Sequence, residues 1–95
     1  MSDLTQPIVA SIQKINQNVS SIQRLVGQTG SKQELDRLRT DTEKLFKDTE
    51  GMLDNLIFSN DDRRLKSQKN RLLDELVEAK TIWLKLRRRV DDDDD

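Results

Sequence analysis

From Asp61 to Val90 the chain places Leu65, Leu72, Leu76, Ala79, Trp83, Leu86 and Val90 along a run of alternating three- and four-residue steps, with Lys69 in the one polar slot. That is a heptad seam, and it confines the stretch to a helix that hides one stripe against other helices. The positions between are dense in Arg, Lys, Glu and Asp, so the rest of the surface is solvated. A helix of this kind needs partners, and the two earlier segments are built to supply them.

The first of these should begin near Thr5 or Gln6, with Pro7 in the opening turn, where its missing N–H is no loss. Its seam is Ile8, Ile12, Ile15, Val19, Ile22 and Val26, while Gln13, Lys14, Asn16, Gln17, Asn18, Gln23 and Arg24 cover the polar face. Gly27 and Gly30 supply the left-handed conformations of a helix end and a tight reversal, so the helix should stop at Gly27 or Gln28. Ser31 and Glu34 have the capping-box spacing, which predicts reciprocal hydrogen bonds at the start of a second helix. That helix is expected to reach Phe58 on a seam of Leu35, Leu38, Thr42, Leu45, Thr49, Met52 and Leu56. Gly51 inside it costs about 1 kcal/mol relative to Ala, so its last turns are expected to lean on tertiary packing and to kink or fray early. Ser59, Asn60, Asp61 and Asp62 then read as a turn and N-cap cluster.

The expected fold is all-α: an antiparallel, up-down-up, left-handed three-helix bundle with helices over about 6–27, 32–58 and 61–90. These make one domain over residues 1–90, followed by a disordered acidic tail at 91–95. Five consecutive aspartates lack the ligand spacing and the turn-forming Gly of a calcium loop. Aligned seams put Val26 level with Leu38 and Trp83, and Ile15 level with Thr49 and Leu72. The third helix would be about 45 Å long and is expected to overhang at its C-terminal end.

Composition agrees with this and narrows the function. An apolar content of 33% against 37% charged residues is low for a compact α/β domain and normal for a bundle, and 95 residues make one core. There is no Cys and no His, which removes disulfides, zinc-thiolate sites and the usual acid/base and metal ligands. The reading is therefore not an enzyme, with no cofactor and no metal. No apolar run approaches the roughly 20 residues of a membrane span, and no signal-peptide core is present. With the five terminal aspartates set aside, 17 bases meet 13 of the 18 acids. Interleaved acids at Asp74, Glu75 and Glu78, with no aromatic stacking array, argue against nucleic acid or an anionic membrane as partner.

Two stretches resemble the N-terminal three-helix (Habc) domain of syntaxins, within the endosomal and vacuolar branch. SIQKINQNVSSIQRLVGQTGS, Ser11 to Ser31, is similar to that branch's first helix and turn. RLKSQKNRLLDEL, with the later Trp83, is similar to its third, and ELDRLRTDTEKLFKDT fits the second in length and register. The resemblance covers about residues 8–90. Leu76 stands where many members carry an aromatic residue, and Lys80 where an aliphatic is common. A SNARE motif and a membrane anchor are absent from this sequence, so it is expected to be an excised regulatory domain or a protein that kept only that domain. The five residues before Gln6 carry no feature of the N-terminal peptide with which some syntaxins bind Sec1/Munc18-type proteins.

The resemblance implies a non-catalytic regulatory domain of a t-SNARE at the cytosolic face of endosomal, vacuolar or lysosomal membranes. It would recruit tethering complexes or Sec1/Munc18-type proteins and fold back on its own SNARE helix. The seam alone equally fits a free-standing helical scaffold or coiled-coil adaptor; a monomer in isolation favours the syntaxin reading. The resemblance also points to the surface between the second and third helices. There Leu73, Val77, Lys80, Leu84 and Arg87 form a second stripe beside the main seam, and Phe46, Leu53 and Ile57 lie off the seam of the second helix. Leu73, Val77 and Leu84 are the expected anchors for a partner helix, with Lys80 and Arg87 pairing with its acids.

Overall fold

The computed structural model describes residues 5–28, 30–56 and 63–92. Three helices, α1 (Gln6–Leu25), α2 (Lys32–Asp54) and α3 (Arg63–Asp92), pack around one core as an all-α three-helix bundle. The expected helix residues Ile57 and Phe58, and the cluster Ser59 to Asp62, lie outside the described residues, as do 93–95.

On α1 the expected seam is the buried one, from Ile8 through Ile12, Ile15 and Val19 to Ile22. Pro7 sits in the first turn, and Gly27 and Gly30 both take φ of 85°, the left-handed region that an added Cβ would strain. Asn18 departs from expectation. Counted with the polar face, it is buried, and its Nδ2 has no hydrogen-bond partner.

The turn between α1 and α2 is closed differently from a capping box. Ser31 makes no cap bond to its own helix; its hydroxyl instead donates backwards to the carbonyls of Gln28 (2.8 Å) and Leu25 (3.1 Å). The Leu25 carbonyl already accepts the Gln28 N–H at 3.0 Å, so the Ser31 hydroxyl adds to that bond and supplies a donor to the Gln28 carbonyl, one of the groups a helix end leaves open. Glu34 turns outward to Arg37 at 2.6 Å, a hydrogen bond that raises the pKa of the guanidinium.

α2 is rolled relative to its expected seam. Phe46 and Leu53 are buried, whereas Leu45 and Met52 are only partly so, and Thr42 and Thr49 are fully enclosed. Each threonine donates its hydroxyl to the carbonyl four residues back, Leu38 at 2.6 Å and Leu45 at 2.5 Å, so neither proton is orphaned. Thr49 Oγ1 also shares a 2.8 Å hydrogen bond with Ser11 Oγ of α1. α2 ends at Asp54, four residues before the expected Phe58, with Asn55 and Leu56 closing on the carbonyls of Gly51 and Leu53.

The ion pairs Glu50–Lys80, Glu43–Arg87 and Arg39–Asp91 climb α3 as they descend α2, which makes the two helices antiparallel. They also correct the expected layers. Trp83 borders the same groove as Phe46 and Lys47, and Val90 stands beside Leu35 and the Gly27–Gly30 turn. α3 is therefore about two turns from the level that would pair Trp83 with Leu38. Its extra length lies at the N-terminal end instead of the C-terminal one: from Arg63 to Arg71 only Leu65 and Lys69 are other than exposed. At the far end the helix continues through Asp91 and Asp92, into the segment read as an acidic tail.

Candidate functional site

Heptad positions explain why α3 has one buried stripe, but its exposed apolar residues need a separate account. Four large ones are solvent-facing: Leu73 at 43%, Val77 at 57%, Ile82 at 44% and Leu84 at 46% relative exposure. All four belong to α3. Leu73, Val77 and Leu84 follow one row, turned roughly a quarter of the helix circumference from the core row of Leu72, Leu76, Trp83 and Val90, and on its α2 side.

Beside this row runs a groove of about 260 Å³ between α2 and α3. Phe46 and Trp83, both buried, form its floor, and Leu84 stands on its α3 wall. Lys80 Nζ meets Glu50 Oε1 at 2.7 Å, and Arg87 meets Glu43 Oε1 at 3.3 Å. The groove is thus crossed by two ion pairs with apolar surface beneath and beside them. Both pairs are roughly half exposed, so each holds its geometry without contributing much stability.

Of the residues expected at this site, Phe46, Lys80, Leu84 and Arg87 come together at the groove, while Leu73 and Val77 continue its α3 wall toward the N-terminus. Leu53 does not take part as a surface residue, because at 2% exposure it is core. Phe46 contributes only as floor. Ile57 lies outside the described residues. The expected acidic partners of Lys80 and Arg87 are supplied within the chain by α2, at Glu50 and Glu43. Acids at those positions of a helix facing α3 were the signal in the sequence that could have revealed them.

No group of three or more residues able to hold a metal occurs among the described residues, and no described helix is long and apolar enough to cross a membrane. An apolar row beside a bridged groove is the kind of surface against which another polypeptide can lie, and the fold that carries it is a slim helical bundle. The chain belongs to the syntaxin-like protein family, which matches residues 4–92. Membership makes it a SNARE-related, non-catalytic interaction domain of a membrane-trafficking protein. No curated protein and no solved structure matches the chain.

Proposed function

We propose that this chain is the regulatory domain of a syntaxin-type t-SNARE that acts in endosomal or vacuolar membrane fusion, at the cytosolic face of those membranes. It receives a SNARE helix, its own or a cognate one, along the α2–α3 groove, and it recruits Sec1/Munc18-type proteins or tethering factors. The observation that carries this reading is the exposed row of Leu73, Val77 and Leu84 alongside the groove. An amphipathic helix laid there buries its apolar face on these three side chains, and its acids exchange with Glu43 and Glu50 for Arg87 and Lys80.

Because Val77 and Leu84 are about half exposed, Val77→Asp and Leu84→Asp should leave the bundle intact, within about 0.5 kcal/mol of the parent. Titration calorimetry with the cognate SNARE segment, paired with thermal melts of the same variants, tests the proposal. The expected result is at least about tenfold weaker binding, as for the loss of an interface anchor, at an unchanged melting temperature. Unfolding by both substitutions would show the row to be core, and unchanged binding would place the partner elsewhere; either overturns the reading.

A further inference from the structure

On the opposite flank of α3, a second cleft of about 540 Å³ opens between α1 and α3. Its origin is a small residue in a core position. Ala79 stands between Leu76 and Trp83 on the buried stripe, and its methyl leaves the α1–α3 seam underfilled, so the cleft forms over Ala79 and Ile12. Val9 and Ile82 form the walls, and Ile82 is the one large exposed apolar side chain of α3 on this side.

The rim is of one sign. Glu75 and Glu78 line it from α3, Gln13 and Asn16 line it from α1, and no Lys or Arg lines it. Glu75 meets Arg71 at only 3.8 Å, with the Arg71 side chain 82% exposed. The Glu78 carboxylate makes no hydrogen bond or ion pair among the described residues. The α2–α3 groove is different, since there the cations are already matched by Glu43 and Glu50. Here the Glu78 carboxylate stands beside apolar surface with no counter-charge among the described residues, and Glu75 has only the long, solvent-exposed contact to Arg71.

The geometry points to this cleft as a second docking surface, for an amphipathic helix of another protein whose apolar ridge is flanked by Lys or Arg. α1 and α3 run parallel here, and residues 9–16 and 75–82 each cover two turns, about 10 Å at 1.5 Å per residue. A furrow between two helices is complementary to a third laid along it, with the ridge seated between the Val9 and Ile82 walls above the buried Ile12 and Ala79. The carboxylate rim favours basic flanks and repels phosphate-bearing surfaces, so the occupant is a polypeptide.

Amide chemical-shift titration of the labelled chain tests this with two designed helical peptides. Both carry the same leucine ridge, one flanked by lysines and the other by glutamates. The lysine peptide should move the amides of 9–16 and 75–82 saturably and bind about tenfold more tightly than its counterpart, the scale of two rim charges acting together. The double variant Glu75→Lys/Glu78→Lys should reverse the preference. Ile82→Ser should weaken the lysine peptide by about tenfold, as for the loss of an apolar anchor, at an unchanged melting temperature. Should the charge variant fail to fold, Ile82→Ser alone decides. Shifts confined to 43–50 and 80–87, or a charge reversal without effect on preference, would overturn the proposal. None of the substituted residues lies in the α2–α3 groove, so the outcome is independent of SNARE-helix binding.

Discussion

Against α1, α2 presents small hydroxyl side chains: Thr49 is joined to Ser11 at 2.8 Å, and Thr42 lies two turns back on the same face. Against α3 it presents Phe46, with Trp83 at the same groove and the Glu50–Lys80 and Glu43–Arg87 pairs above. The consequence is geometric. α1 and α2 pack the most extensively of any pair, whereas aromatic bulk and long charged side chains hold α2 and α3 further apart. A close interface and an open groove thus share one helix, because the groove side rests on a few large buried residues.

If that is so, Trp83→Ala should be the most damaging change, lowering stability by about 3–5 kcal/mol, because Trp83 is 2% exposed and helps to hold α3 against the other helices. Denaturant melts would measure it. A loss below about 1 kcal/mol, the scale of a surface substitution, would mean that Trp83 does not hold α3 against the other helices.

The close interface carries a weakness of its own. Asn18 lies two turns above Ser11 with its Nδ2 unpaired, and a buried polar group without a partner costs about 1–3 kcal/mol. Asn18→Leu should therefore raise stability by about 1 kcal/mol, read in the same melts. Loss of stability instead would show that the amide has a partner in solution and helps to specify the α1–α2 pairing.

The smallest effect belongs to the bridges. Lys80→Ala combined with Arg87→Ala should lower stability by less than about 1 kcal/mol per pair, since both pairs are half exposed. The parent's melting temperature should vary little with salt for the same reason. If removing the bridges rivals the loss of Trp83, then charge rather than aromatic burial holds α3, and the contrast between the two faces collapses.

Much of this was legible in the sequence, and the exceptions have physical causes. From Ile12 to Ile22 on α1 the seam residues stand singly, and on α3, where Leu73, Val77 and Leu84 double the seam, only the row through Leu72, Leu76, Ala79, Trp83, Leu86 and Val90 is unbroken; both rows are buried as expected. On α2 the apolar residues come in doublets, Leu45 with Phe46 and Met52 with Leu53, and three-four spacing accepts either member. The structure turns Phe46 and Leu53 inward, which moves two of the expected groove residues into the core. Axial register was not legible, because sliding one heptad seam by two turns still leaves apolar residues opposite one another. Cross-helix pairs such as Arg39–Asp91 settle it, and they depend on the slide itself. The row of Leu73, Val77 and Leu84 was visible in the spacing, while the cleft under Ile82 follows from an underfilled core position that no surface pattern announces.

The hydroxyl of Ser31 has a wider effect than closing a turn. It donates toward the carbonyls of Leu25 and Gln28, while its own carbonyl accepts the N–H of Leu35 at 2.9 Å, so one residue is tied into the end of α1 and the start of α2 at once. The last turn of α1 then cannot fray alone, because opening it strips the partner from the residue that begins α2. The two helix ends are expected to behave as one exchange unit, with the amides of Val26 and Leu35 exchanging at the same rate.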